Sequence, residues 1–197
     1  MLIALPGKAG QEDKPVLRMR VIAGKAKGKY LKSPKGVSLR PTSDLARGAI
    51  FSILESLGTD WSSVLDLYAG TGSLGIEALS RGAQWADFVE RNPKCSAIVK
   101  ENLENAGLAA QAHVYCCNVT KALSFLKRRY GIILMGPPYA DLSISEILEQ
   151  LSNSSLVGAG TTIVVDHSSR LPLSPNYGDF RLIKERCHGD TCISVYQ

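Results

Sequence analysis

Residues 66–75 read D-L-Y-A-G-T-G-S-L-G, the most informative segment for the fold of this chain. It follows a short apolar run that begins at Val64, and it opens a segment whose apolar residues recur at helical spacing. A buried strand, a glycine-rich loop and a helix in this order are typical of the place where an α/β sheet binds a nucleotide-like ligand. The stretch therefore predicts a parallel sheet with a ligand site at the carboxyl ends of its strands.

Two ligands are compatible with the glycine loop itself. The spacing G-x-G-x-x-G matches the dinucleotide fingerprint, and Glu90 follows the next predicted strand, where a carboxylate can bind ribose hydroxyls. Asp66 separates the two ligands, because a carboxylate beside the loop repels a pyrophosphate but attracts the ammonium group of S-adenosylmethionine. Asp66 can also be a strand-end residue that accepts hydrogen bonds from loop N–H groups, and the two roles are compatible. The charge favours S-adenosylmethionine over NAD.

Downstream of the loop, apolar strands alternate with helical segments. The pattern predicts strands over 64–68, 87–90, 113–117, 131–135 and 161–166, and helices over 74–81, 93–106, 120–129 and 143–152. Segments 180–186 and 191–196 predict an antiparallel hairpin across Gly189. The expected fold is an α/β sandwich with a mostly parallel sheet of seven strands and an antiparallel C-terminal hairpin.

Upstream of the loop, three segments differ in composition. Residues 1–18 read as a flexible leader, and residues 19–42 read as a small twisted β-hairpin with lysines on its wet face. Residues 43–197 form the main domain, which starts with a helix capped by Ser43 or Asp44 and ended by Gly58. The apolar residues that this helix is predicted to bury are Leu45, Ile50, Ile53, Leu54 and Leu57.

The basic charge lies in one part of the chain. Of the 23 Lys and Arg residues among 197, nine lie between Lys14 and Arg40, where no acidic residue occurs. A basic segment on an otherwise acidic body is typical of a protein that contacts the phosphates of a nucleic acid, although charge runs can also be merely solvated. The candidate RNA contacts are Arg20, Lys25, Lys27, Lys29, Lys32, Arg40 and Arg47.

Composition excludes several other classes. With 45% hydrophobic and 21% charged residues, the chain matches a folded globular protein, and no apolar run has the roughly 18 residues of a membrane span. We expect a cytoplasmic monomer without a membrane partner. Five cysteines without a C-x-x-C pair favour buried thiols over disulfides, and no metal site is predicted.

A second motif follows the predicted strand over 131–135, where the apolar run meets Gly136-Pro137-Pro138-Tyr139. The motif resembles that of amino-methyltransferases, in which Asp, Asn or Ser precedes Pro-Pro and Tyr or Phe. Further segments make the chain similar to the RsmD-type bacterial 16S rRNA guanine-N2 methyltransferases from residue 19 almost to the end. These segments are M-R-V-I-A-G-K-A-K-G-K-Y-L, L-R-P-T-S-D-L-A-R-G-A-I-F-S-I-L, L-D-L-Y-A-G-T-G-S-L-G-I-E-A-L-S-R-G-A and F-V-E-R-N.

The resemblance implies a Rossmann-like methyltransferase fold, S-adenosylmethionine as methyl donor, and 16S rRNA or an assembling small ribosomal subunit as partner. It also implies roles for single residues. The methionine part of the donor would be held by Asp66, Tyr68, Gly70 and Gly72, the ribose by Glu90 and the adenine edge by Asn118. Tyr139 would stack on the target base, which must leave its helical stack to reach the methyl donor.

The chain departs from the family at Gly136, which removes the side-chain oxygen that would accept a hydrogen from the amine. The carbonyls of Met135, Gly136 and Pro137 remain as acceptors. Asp141 is close in sequence and is a candidate to replace the missing side-chain acceptor. Three other functions stay open at this point. They are methylation of adenine N6 in DNA, RNA binding by a catalytically weak or inactive homologue, and NAD(P)-dependent oxidoreduction.

Overall fold

The fold of this computed structural model is described over residues 19–37 and 42–197. The predicted leader, residues 1–18, and the candidate RNA contact Arg40 lie outside the described residues. The helices are α1 (Asp44–Ser56), α2 (Ser73–Ser80), α3 (Pro93–Ala106), α4 (Val119–Phe125) and α5 (Ile144–Ser152), with a 3-10 turn over Ala109–Gln111. The strands are β1 (Val64–Leu67), β2 (Ala86–Val89), β3 (Ala112–Tyr115), β4 (Ile132–Met135), β5 (Thr162–Ser168), β6 (Asn176–Tyr177), β7 (Phe180–His188) and β8 (Thr191–Tyr196).

The strands form one mixed sheet in the order β3-β2-β1-β4-β5-β8-β7-β6. The first five are parallel, β8 runs antiparallel to β5, and β7 and β6 continue in antiparallel pairs. The predicted α/β sandwich with an antiparallel C-terminal hairpin is confirmed. Within residues 19–37 and 42–197 the sheet has eight strands instead of seven, because the two-residue β6 adds an edge that is too short to produce a sequence pattern.

The order of the sheet places a crevice above β1. The chain leaves β1 to build β2 and β3 on one side and returns to build β4 and β5 on the other. At such a reversal the loops after neighbouring strands diverge, which opens a ligand site at their carboxyl ends. Strands β1, β2 and β4 are buried along their whole length, so both faces of the sheet are covered and the site is built on rigid elements.

Helix α1 begins as predicted, since the Ser43 side chain accepts a hydrogen bond from the N–H of Ala46. The helix buries Ile50 and Phe51, but Leu45 is 72% exposed, contrary to the prediction. Leu45 lies on the opposite face of the helix from the buried residues. No helix within the described residues is both long and apolar enough to cross a membrane.

Residues 19–31 of the basic segment fold as a small hairpin against the body. Arg20 and Tyr30 form an antiparallel bridge, and the N–H of Val21 donates to the carbonyl of Lys29 at 2.9 Å. Val21, Ala26 and Leu31 belong to the same buried cluster as α1 and α2. The short pairing is therefore supported by packing, which a two-stranded hairpin needs in water.

The prediction for the cysteines is wrong in part. Cys187 and Cys192 are register partners on β7 and β8, with Cα atoms 4.0 Å apart, and they form a disulfide. Cys95, Cys116 and Cys117 are free, but Cys116 is exposed instead of packed. The pairing was not predictable from composition, because it depends on the register of the terminal hairpin.

Candidate active site

A cavity of about 610 Å³ opens at the carboxyl ends of the parallel strands. Five of the six residues predicted to bind the donor line it, together with all four residues of the predicted catalytic turn. Its wall includes Asp66, Tyr68, Gly70, Glu90, Asn118, Gly136, Pro137, Pro138 and Tyr139. The tertiary structure thus brings together two motifs that lie about seventy residues apart in sequence.

The glycine loop turns through residues of positive φ. Gly70 and Gly72 have φ of 57° and 78°, and Tyr68, with φ of 62°, is the one non-glycine residue of positive φ in the described chain. Such a conformation costs a non-glycine residue free energy, and it is typical of functional sites. Gly72 faces the core instead of the cavity, because a Cβ placed there would lie 3.0 Å from Val99 Cγ1. Gly72 is not among the described residues that line the cavity, and its contact with the donor stays a prediction.

Asp66 lies under the loop at the end of β1. Its Oδ2 atom accepts a hydrogen bond from the N–H of Gly75 at 2.8 Å, as in the alternative role considered for it. Burial raises the pKa of Asp66 to about 7, the Gly75 bond lowers it and the Glu90 charge raises it further. A carboxylate in this setting is stabilised by a cation, and the ammonium group of a methionine moiety would supply one.

Glu90 ties the loop to the end of β2. Its Oε2 accepts from the N–H of Gly70 at 2.8 Å and its Oε1 accepts from the N–H of Asn92 at 2.7 Å. Each carboxylate oxygen can accept a second bond, so the side chain can still receive ribose hydroxyls. Glu90 therefore holds the loop in shape and also lines the cavity.

Asn118 has a structural bond of its own. Its Oδ1 accepts from the N–H of Lys121 at 2.8 Å and caps the start of α4. With the oxygen engaged, the side-chain NH₂ group is the part that can donate toward a ligand. The cap fixes this amide at the cavity wall.

The turn after β4 carries the second motif. A Cβ built on Gly136 meets no atom within 4 Å, so there is open space for a side chain where the family has one. Tyr139 lies at the cavity wall, and its hydroxyl is 2.5 Å from Thr191 Oγ1 at the start of β8. That contact anchors the ring to the C-terminal hairpin, which the sequence did not indicate.

Two further carboxylates line the cavity. Asp141 accepts hydrogen bonds from the N–H and the hydroxyl of Ser143 at 2.9 and 2.6 Å. It is also close to Tyr68, whose pKa rises to about 12 through burial and, next, through the Asp141 charge. Asp166, near the end of the last parallel strand, accepts from Thr42 Oγ1 at 2.9 Å. Asp166 was not among the predicted site residues, although its position near the end of a predicted parallel strand is a sequence signal for the crevice.

Arg47 is not a surface residue, contrary to its prediction as an RNA contact. Its side chain is fully buried, and its Nη2 donates to the Arg20 carbonyl and to Asp44 Oδ1, both at 2.7 Å. The buried carboxylate of Glu77 lies 4.0 Å from its Nη1 and accepts from the N–H groups of Ile22 and Ala23. Arg47 and Glu77 thus anchor the hairpin. The guanidinium of Arg47 contacts groups of the protein itself and is not exposed to a partner.

The other described candidates for RNA contact are exposed and lie outside the cavity wall. Lys25 Nζ donates to Gln111 Oε1 at 2.5 Å, and Lys32 contacts Glu101. An exposed hydrogen bond to an amide and an exposed ion pair are both weak, so they leave the lysine charges available to a polyanion. These residues are Arg20, Lys25, Lys27, Lys29 and Lys32.

Comparison with known proteins identifies the family. A family model described as conserved hypothetical protein 95 matches residues 19–197. A candidate rRNA methyltransferase of Bacillus subtilis, YlbH, is 35% identical over 182 residues, which cover 91% of this chain and 98% of that protein. The ribosomal RNA small subunit methyltransferase D of Escherichia coli K12 is 30% identical over 91% of this chain and 90% of its own length.

The solved structures confirm the methyltransferase fold. A candidate methyltransferase of Escherichia coli, yhhF, superposes with a TM-score of 0.78 at 28% identity and covers 91% of this chain and 97% of that one. The residues matched by the family model include the hairpin, the glycine loop and the terminal strands. The chain therefore belongs to the RsmD-type family of ribosomal RNA methyltransferases.

Proposed function

We propose that the chain transfers a methyl group from S-adenosylmethionine to the exocyclic N2 amine of a guanine in 16S rRNA, presented by an assembling small subunit. The observation that carries the proposal is the single cavity shared by Asp66 and Glu90 on one side and by the turn Gly136–Tyr139 on the other. The first pair suits the charge and hydroxyls of the donor, and the turn offers acceptors for an amine. Transfer needs both groups in one enclosed place.

The residues on the donor side fit S-adenosylmethionine. Asp66 offers a carboxylate to the ammonium, Glu90 offers spare acceptor capacity to the ribose, and the Asn118 amide can donate to the adenine edge. When bound, the donor supplies a methyl group made electrophilic by its sulfonium. The protein contributes orientation, which accounts for much of the rate enhancement of a two-substrate reaction.

On the acceptor side, the chain presents backbone oxygens on a stiff turn. The Gly136 and Pro137 carbonyls can accept hydrogen bonds from the target amine. Pro137 and Pro138 each have a fixed φ angle, which makes this turn stiff. Tyr139, fixed through Thr191, forms a wall against which a flipped base can stack. The amine is thereby oriented toward the methyl carbon although no side-chain acceptor is present at 136.

A second candidate function rests on Gly136 itself. Without the side-chain acceptor, the protein could retain donor and RNA binding but turn over slowly, as a homologue whose main action is to bind RNA. Methylation of adenine N6 in DNA shares the Pro-Pro-aromatic turn and is the competing reaction. The experiment below separates all three.

The test is transfer of a tritiated methyl group to under-methylated small subunits, to naked 16S rRNA and to duplex DNA, followed by analysis of the labelled nucleoside. We expect label in rRNA as N2-methylguanosine and none in DNA. Label only in DNA, or in another nucleoside, would overturn the proposal. Binding of RNA and S-adenosylhomocysteine without any transfer would establish the second candidate.

A further inference from the structure

A second cavity, here called the edge cleft, lies along the outer strand β3 and has a volume of about 270 Å³. It shares no described lining residue with the active-site cavity. Its residues come from Trp85 and β2, from β3, and from the end of α4 with the segment that joins it to β4. They are Trp85, Asp87, His113, Tyr115, Phe125, Leu126, Lys127, Arg128 and Tyr130.

Aromatic rings form a continuous row in the edge cleft. The ring centroids of His113 and Tyr115 are 4.3 Å apart, and those of Tyr115 and Phe125 are 5.3 Å apart. His113 is exposed and Phe125 is 40% exposed, although large aromatic side chains are usually buried when they only fill a core. The row thus presents ring surface to solvent at the open edge of the sheet.

Positive charge flanks this row. Lys127, Arg128 and Arg129 are consecutive and exposed, and the Arg128 guanidinium lies over the Trp85 ring at 5.1 Å from its centroid. The one carboxylate of the cleft, Asp87, is 4% exposed; it accepts from the Tyr130 hydroxyl at 2.6 Å and lies 3.7 Å from Arg128 Nε. The cleft therefore presents aromatic faces and cations to solvent, while its acid is covered and paired.

Contacts connect the edge cleft to the basic hairpin. Lys25 Nζ donates to Gln111 Oε1 at 2.5 Å, and Gln111 Nε2 donates to the carbonyl of Gln84 at 3.2 Å. Gln84 immediately precedes Trp85, and Gln111 immediately precedes β3. The hairpin tip is thus linked by hydrogen bonds to the residues that immediately precede Trp85 and β3.

We infer that the edge cleft binds one or two unstacked nucleotides of the RNA substrate, apart from the nucleotide that is methylated. The bases would stack on His113, Tyr115 and Phe125, and the phosphates would lie against Lys127 and Arg128. Cations beside exposed rings are the combination that binds single-stranded RNA, and a duplex offers no base face to such rings. The inference rests on the proposed function in one respect, namely that the substrate is RNA.

The test compares the parent with a His113→Ala/Phe125→Ala double variant and with Phe125→Leu, which keeps apolar volume but loses the ring. Ile183→Ala is the matched control, because Ile183 is 43% exposed and lies on β7, toward the other edge of the sheet. Anisotropy measures the binding of a fluorescent single-stranded RNA of twelve nucleotides. Calorimetry with S-adenosylhomocysteine reports whether the active-site cavity is intact.

For the double variant we expect RNA affinity to fall roughly 5- to 150-fold, as stacking of a base on an aromatic ring allows. Phe125→Leu should show part of this loss, whereas Ile183→Ala and all affinities for S-adenosylhomocysteine should match the parent. In methylation of small subunits, KM should rise in the double variant while kcat stays constant.

The possible failures are distinguishable. Parental RNA affinity and KM in the double variant would overturn the inference, whatever the parent's activity. Loss of RNA binding in that variant, together with a parent that transfers no methyl group, would remove the proposed function and leave the cleft as an RNA site. A parent that dimerises in sedimentation experiments, with a monomeric double variant of unchanged RNA affinity, would assign the cleft to a second copy of the chain and overturn the inference.

Discussion

At the scale of single residues, the site joins a buried acid to a position without a side chain. Asp66 lies beneath the donor side of the cavity, and Gly136 lies on the acceptor side with open space around its Cα. Asp66 is expected to make the affinity for the donor depend on pH. Gly136 provides no side-chain acceptor for the target amine. Each has a measurable consequence.

The raised pKa of Asp66 predicts that donor affinity depends on pH. Below pH 7 the carboxyl group takes up a proton in the free protein, so it no longer pairs with an ammonium group. We expect S-adenosylhomocysteine to bind about 10-fold more weakly at pH 6 than at pH 8 by calorimetry. Asp66→Asn, which keeps an acceptor for the Gly75 N–H, should bind weakly at both values; a parent whose affinity is flat over this range would contradict the pairing.

Gly136 predicts a gain of activity on substitution. Gly136→Asp and Gly136→Asn should raise kcat for small-subunit methylation about 10- to 150-fold, because a hydrogen bond to a charged group contributes about 1.5–3 kcal/mol. The gain should appear in kcat more than in KM, since the bond acts mainly in the transition state. Single-turnover assays measure it, and Gly136→Ala, which adds no acceptor, is the control. A fully active parent with no gain in Gly136→Asp would show that the acceptor is not needed.

At the scale of elements, the hairpin is attached to the body by buried hydrogen bonds as well as by apolar packing. Glu77 on α2 accepts from two N–H groups of the hairpin, and Arg81 Nε donates to the same carboxylate at 2.8 Å. Arg47 on α1 completes the network through the Arg20 carbonyl. Two helices of the body thus fix the basic surface.

This network predicts that Arg47→Ala lowers the free energy of unfolding by about 2–5 kcal/mol, because it empties a fully buried site and leaves the Arg20 carbonyl without its donor, while Arg81 still pairs with Glu77. Arg170→Ala removes a pair that is exposed on both sides and should cost less than about 1 kcal/mol. Urea denaturation measures both. Parental stability in Arg47→Ala, combined with weaker RNA binding, would restore the surface role that the sequence suggested.

At the scale of the whole molecule, the basic surface of the hairpin and the cavity at the carboxyl ends of the parallel strands lie apart. Gly24 at the hairpin tip packs against the carbonyl of Ser80 at the end of α2, whereas the cavity begins with the loop that precedes this helix. The lysines of the tip therefore lie away from the methyl-transfer site. They can bind RNA only beyond the target nucleotide.

Reversal of Lys25, Lys27 and Lys29 to Glu should weaken RNA binding and leave the affinity for S-adenosylhomocysteine unchanged. The slope of log K against log salt should fall by about 2, because each lost phosphate contact removes about 0.7–0.9. A variant with Arg170, Arg181 and Arg186 reversed carries the same change of net charge on exposed residues of the C-terminal part. Equal salt slopes in the two variants would show that the hairpin charges are only solvated.

Local sequence patterns predicted the ligand loop and most of the elements, but they gave no signal for β6 and placed the end of α4 four residues too late. Helix α3 occupies the predicted range, and β1 and α2 flank residues 66–75 as expected, because a hydrophobic period and glycine positions are local properties of the chain. The choice between donors also followed from one residue, Asp66, whose charge the sequence states directly. The motif after β4 needed no fold to be recognised.

The contacts of the polar side chains depend on how distant segments pack together in the folded protein. Arg47 is buried inside the protein because α1 packs it against Glu77, which lies thirty residues away in sequence. Gly72 faces the core, whereas Gly70 lines the cavity. The Cys187–Cys192 bond and the contact of Tyr139 with Thr191 depend on the register and placement of the terminal hairpin. Burial and hydrogen-bond partners depend on segments that are distant in the chain. A local sequence pattern therefore predicts the position of a residue within its element but not the residues that it contacts.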